Sequence, residues 1–315
     1  MALGRSAKRS HPEPAGRLVR FEATDGVPLA GLLYEPGGRR VPPVVIFLHG
    51  TGGASVFESK RTNPLAETLL SRGIAYFPFN NRGAYLMRRL RARRGRSTRT
   101  VGGGMSHELI RDCVPDIDGA IRFLRSRGFK EIYLAGHSTG ANKIAVYDSR
   151  KDRNIVRGYI LIAGGDDTGL MFDQLGRRRF QSTLARARAM IKEGRGDELV
   201  PEGISDLPLS WKSFYDVANP DGDYNVFPFL EAVQGLGLSR RPLFRHLKGI
   251  RKPVLTIYGE DDEYFLHAIS RCIETMVEAI GPKENFEFVV VADADHGFSG
   301  KEAELGTLIA DWIQY

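Results

Sequence analysis

Short, largely apolar runs recur along this chain, and amphipathic stretches separate them. The runs are Val44–Leu48, Gly73–Phe79, Ile132–Ala135, Val156–Ala163, Val254–Tyr258 and Phe286–Val291. A strand that is apolar at every position has both faces buried, as in a parallel sheet covered on each side. Between the runs, residues 107–127 carry Ile110, Cys113, Val114, Ile117, Ile121 and Leu124 at steps of three and four, the helical period. Pro115 inside that stretch predicts a kink or a fresh helix start. The alternation predicts an α/β fold, a mostly parallel sheet with helices on both faces.

The alternation is preceded by two short strands over residues 18–34, joined at Asp25-Gly26. Residues 1–17 are basic, lack an apolar signal-peptide core and read as a flexible lead. The pattern breaks between residues 166 and 249, where no buried strand is evident. Residues 173–193 read as a basic helix, and 201–228 are irregular and rich in aromatics. This segment reads as a lid, whose aromatics Trp211, Phe214, Tyr215, Tyr224 and Phe227 could line a substrate pocket, the first three being the candidates, or could merely seat the lid on the core. The expected organisation is a lead (1–17), a first core part (18–165) with a basic insertion (82–104), a lid (166–249) and a second core part (250–315).

Net charge is +7. Much of the excess lies in Arg82, Arg88, Arg89, Arg91, Arg93, Arg94, Arg96 and Arg99, which read as a solvated, flexible insertion ending in the mobile Gly102-Gly103-Gly104. An anion, nucleic-acid or membrane-surface patch is the alternative; the lack of interleaved aromatics counts against nucleic acid. Cys113 and Cys272 provide neither a disulfide framework nor a metal pattern, and no apolar run is long enough for a membrane span. A cytoplasmic enzyme is expected.

Four notable clusters fall just after strands: His49–Gly53, Gly136–Gly140, Gly259–Asp262 and Asp295-His296. In a parallel sheet they would lie along one edge, where ligands bind. Gly136-His137-Ser138-Thr139-Gly140 fits the strand–turn–helix G-x-S-x-G elbow that exposes a nucleophilic serine. Ser138 needs a base. His296 is the candidate, because His137 should point away from the serine on its elbow and His49 should brace the glycine loop. The base needs an acid to fix its tautomer. Asp262 is preferred, with Asp261 and Asp166 as alternatives. The Thr51 and Thr139 N–H groups are the expected oxyanion hole. A Walker-type phosphate loop is disfavoured at His49–Gly53, which lacks the Lys-Ser/Thr ending.

With HGTGG, GHSTG, GEDD and DADHG in this order, residues from about 20 to 315 resemble the α/β-hydrolase superfamily. The resemblance implies an eight-stranded sheet, a lid inserted after the sixth strand, no cofactor, and hydrolysis of esters or related acyl compounds. GHSTG and the lid segment Ala218–Asp223 are similar to a little-characterised group related to fungal siderophore esterases, which implies no particular substrate. The insertion 82–104 is longer than the connection usual in the superfamily.

The expected activity is cleavage of a small-molecule carboxylic ester through an acyl-enzyme. The same residues suit an amide, a thioester or acyl transfer. A non-catalytic ligand-binding protein on the same fold is the reading from another class. Neither metal nor nucleic-acid partner is expected, and oligomeric state is open.

Overall fold

The computed structural model describes residues 14–51, 54–151 and 153–315. Most of the expected lead, together with Gly52 and Gly53 of the glycine loop, lies outside them. The main sheet has eight strands. These are β1 (Arg17–Glu22), β2 (Pro28–Leu33), β3 (Val44–Leu48), β4 (Ala75–Asn80), β7 (Ile132–His137), β8 (Tyr159–Ile162), β9 (Val254–Gly259) and β10 (Phe286–Val291). Their spatial order is β1-β2-β4-β3-β7-β8-β9-β10. The first two strands pair antiparallel, as does β2 with β4; all pairs from β4 to β10 are parallel.

Successive residues of the apolar strands feed two different cores. On one face Val45, Phe47, Tyr76 and Ile160 meet Leu65 and Leu69 of α1 (Thr62–Ser71) and Leu305 and Ile309 of the C-terminal helix (Glu302–Gln314). On the other, Val44, Ile46, Leu134 and Leu161 meet Ile117 and Leu124 of α2 (Cys113–Ser126) and Ile144 of α3 (Thr139–Arg150). Each fully buried aliphatic side chain contributes about 2 kcal/mol, so β3, buried at all five positions, fits only mid-sheet. The chain steps from β3 outward to β4 and then returns to the other side of β3 as β7. Strand order therefore reverses at β3/β7, the place where such sheets open a ligand crevice.

Three expectations change. The long helix expected over 107–127 is a one-turn 3₁₀ segment (Ile110–Asp112) followed by α2, which puts Pro115 in the first helical turn, where its missing N–H costs nothing. The arginine-rich insertion is an ordered two-stranded hairpin, β5 (Arg88–Arg94) and β6 (Ser97–Gly103), closed by Gly95-Arg96. Leu90 and Ala92 of β5 face the core while Arg91 between them and the arginines on either side are exposed. Arg82 does not belong to that surface. It is buried at the end of β4, donating to both Asp116 carboxylate oxygens and, through its two terminal nitrogens, to Asp25 at 2.9 Å.

Between β8 and β9 the chain forms a helical cap: α4 (Asp167–Lys192, broken at Gly176), α5 (Trp211–Ala218), α6 (Phe229–Gln234) and α7 (Arg245–Gly249). Ser213 Oγ donates to the Met105 carbonyl, and Asp216 accepts from the Ile110 N–H at 2.6 Å, fastening α5 to the core. Both cysteines are buried and free. Among the described residues no helix is long and apolar enough to cross a membrane.

Candidate active site

β7 ends at His137 and α3 begins at Thr139, so Ser138 alone makes the turn, at φ 56° and ψ −128°. An L-residue held there costs about 1–3 kcal/mol. Its N–H donates to the Ile162 carbonyl at 2.8 Å, which holds the strained residue against β8. The flanking glycines are required by contact. A Cβ on Gly136 would lie 2.3 Å from the Gly140 carbonyl oxygen, and one on Gly140 would lie 2.3 Å from that of Leu48. The loop after β3 runs directly against the serine: a Cβ at Gly50 would stand 2.9 Å from Ser138 Cβ and 3.4 Å from its Oγ.

That loop is braced from within. His49 Nδ1–H donates to the Gly50 carbonyl at 2.7 Å. Burial, with Lys143 nearby, pushes the His49 imidazole down to about 3, so the ring stays neutral. Lys143, on α3 and almost fully buried, pairs with Glu108 at 2.8 Å and donates to Asn81 at 3.2 Å. The helix behind the serine is thus tied to the segments after β4 and before α2.

At the far side of the crevice, the loops after β9 and β10 are zipped together. Asp261 N–H donates to the Ala294 carbonyl at 3.0 Å. A Cβ at Gly259 would lie 2.3 Å from that same oxygen, so only glycine permits the approach. The result brings Asp262 to His296: Nδ1 lies 2.9 and 2.8 Å from the two carboxylate oxygens. The Asp262 side chain is fully buried and that of His296 is 12 % exposed. Since a carboxylate only accepts, Nδ1 carries the proton of this contact, which turns Nε2, the ring's other nitrogen, away from the acid. The His296 ring sits between Tyr264 and His137, at centroid distances of 4.6 and 4.8 Å. Its backbone N–H donates to Glu263 at 2.9 Å, and its carbonyl accepts from His137 Nε2 at 2.6 Å. Burial holds the His137 pKa well below its ordinary value.

Ser138, His296 and Thr51 line one cavity of about 1150 Å³. Met105, Leu170, Met171, Leu209, Val217 and Tyr224 form an apolar wall toward the cap, and Arg61 and Lys60 lie at another side. Thr139 is buried next to the serine; its hydroxyl donates to Asp167 at 3.3 Å and accepts from Tyr224 at 3.4 Å.

The candidate aromatics fare differently. Trp211 and Phe214 are buried in the core. Tyr215 packs against that core and beneath Arg188. None of the three lines the cavity. They seat the cap, because helix α5 turns its apolar face inward. Of the lid's aromatics Tyr224 lines the cavity, joined by Tyr264 from outside the lid; Tyr264 lies two residues past Asp262, a spacing that could have flagged it. Of the rival acids, Asp261 is exposed, and Asp166 caps α4, accepting from Gly169 N–H at 2.7 Å and Leu230 N–H at 2.8 Å. Among the described residues no group of three or more His, Cys, Asp or Glu is arranged to hold a metal ion.

In structure the chain is similar to Est1E from Butyrivibrio proteoclasticus, with a TM-score of 0.60 and 16 % identity over 95 % of this chain and 98 % of that one. It is also similar to a monoglyceride lipase variant from Saccharomyces cerevisiae, with a TM-score of 0.60 and 16 % identity over 99 % and 98 %. An esterase from Pyrococcus furiosus has a TM-score of 0.57 and 16 % identity over 99 % and 95 %. These likenesses show the α/β-hydrolase fold. No curated protein matches by sequence. Residues 100–312, more than half of the chain, match the family described as "Protein of unknown function (DUF1749)". The chain therefore belongs to the DUF1749 family and has the fold of the α/β-hydrolase superfamily.

Proposed function

We propose that this protein is a serine hydrolase that cleaves a small-molecule carboxylic ester through an acyl-enzyme. The carrying observation is the Asp262–His296 pair on the same cavity as the strained, half-buried Ser138. Ser138 Oγ attacks the ester carbonyl while His296 Nε2 takes its proton. Asp262 holds the ring in the Nδ1–H tautomer and stabilises the imidazolium. The Thr139 and Thr51 N–H groups receive the oxyanion, each donor worth about 3 kcal/mol. His296 then protonates the departing alcohol, and water, activated by the same ring, releases the acid.

Only a neutral imidazole can act as the base, and burial keeps His49 and His137 in the neutral form. Two structural neighbours bear on the substrate class: one is Est1E with ferulic acid bound, the other a monoglyceride lipase with a substrate analogue. The apolar cap wall suits an acyl chain. The test is a panel of p-nitrophenyl esters of increasing acyl length, with Ser138→Ala as control. We expect kcat/KM to rise about fourfold per added CH₂ while the chain stays within the cavity, and turnover to vanish in the variant. Equal turnover by parent and variant would exclude the reading.

A further inference from the structure

The hairpin β5–β6 stands apart from the site chemistry. Its register pairs Arg89 with Gly102, Arg91 with Thr100 and Arg93 with Thr98. These three arginines therefore share one face, about 6.6 Å apart along the strand, opposite small uncharged residues. All three are exposed, while Leu90 and Ala92 anchor the reverse face in the core. Arg94, Arg96 and Arg99 add exposed charge around the tip. The sequence carries no Asp or Glu between Glu67 and Glu108. Among the described residues, none of these six guanidinium groups lies within 4.0 Å of a carboxylate. Arg82, at the root of the same segment, has two.

Just before β5, Leu86 and Met87 are 49 % and 51 % exposed. The same root is fastened to the cavity wall. Tyr85 N–H donates to the Ala54 carbonyl at 3.3 Å and Met105 N–H to the Tyr85 carbonyl at 2.9 Å; Ala54 and Met105 both line the cavity.

We propose that this hairpin docks the protein on an anionic lipid bilayer, with its arginines on the headgroups and Leu86 and Met87 entering the interface beside the cavity. An unpaired cationic stripe is complementary to a negative surface, and each arginine near such a surface strengthens partitioning about fivefold. The adjoining apolar pair suits a partner with an apolar phase. Single-stranded nucleic acid would need aromatic platforms for its bases, and β5 and β6 contain no aromatic residue. The inference is independent of the chemistry assigned to Ser138.

The full chain should be sedimented with phosphatidylcholine vesicles, with and without phosphatidylserine, across a salt series. Binding is expected only with phosphatidylserine, weakening as salt rises. The triple variant Arg89→Gln/Arg91→Gln/Arg93→Gln should lose about a hundredfold in partitioning, with unchanged thermal unfolding and ester turnover. Leu86→Ser/Met87→Ser should also bind more weakly. Ser138→Ala should bind like the parent. The proposal is overturned by no vesicle binding, by equal binding to neutral and anionic vesicles, or by a triple variant that binds like the parent. Tighter retention by a single-stranded oligonucleotide than by anionic vesicles would overturn it in favour of nucleic acid.

Discussion

Asp166 and Asp262 each follow a parallel strand, β8 and β9, at the carboxyl edge of the sheet, Asp262 buried and Asp166 half-buried. They meet different partners. Asp262 meets an imidazole N–H delivered by the loop after β10. Asp166 meets two backbone N–H groups, one from the first turn of α4 and one from the start of α6. Burial pushes the Asp166 carboxyl up to about 7. Position after a strand thus brings a carboxylate to the crevice, but the neighbouring loop decides whether it faces an imidazole or ties down a cap.

Replacing each carboxylate in turn tests this contrast. The largest effect is expected for Asp262→Asn. Its amide should favour the wrong imidazole tautomer and lower kcat about 10⁴-fold, with thermal unfolding little changed. Comparable losses in Asp166→Asn would reverse the assignment. Asp166→Asn should instead keep turnover within about threefold and change how stability depends on pH. The folded-state value of Asp166 lies above the ordinary carboxylate value, so its stabilising contribution is full below about pH 4 and is lost as pH rises through about 7. Relative to the variant, the parent's unfolding free energy should fall over that window by on the order of 4 kcal/mol; denaturant titrations at several pH values would measure it. Parallel curves would contradict the account. Glu263→Ala, which removes the acceptor for the His296 N–H, should lower kcat about tenfold. Asp261→Asn, on an exposed side chain beside the pair, should change both turnover and stability least, within about 0.5 kcal/mol.

Much of this was legible in the chain itself. Wholly apolar runs such as Val44–Leu48 announce strands covered on both faces, and Gly136 and Gly140 announce a turn with no room for a Cβ. What escaped depends on partners distant in sequence. Arg82 reads as one of a basic run, yet Asp25 and Asp116, distant along the chain, bury it. Leaving Asp116 unpaired in that place would be severe, about 3–5 kcal/mol for Arg82→Ala. The hairpin had a local signal in the alternation of Leu90 and Ala92 with arginines and in Gly95, obscured by the sheer density of charge. Trp211 and Tyr224 are both aromatics of an irregular segment; only the packing of α5 separates a core residue from one on the cavity wall.

The central claim is that Ser138 is a nucleophile activated by His296. Incubation with a fluorophosphonate probe, followed by mass spectrometric mapping, tests it most directly. The account predicts covalent labelling at Ser138, slow labelling in His296→Ala and none at that position in Ser138→Ala. An unlabelled parent, or a Ser138→Ala variant labelled to the same extent, would contradict it.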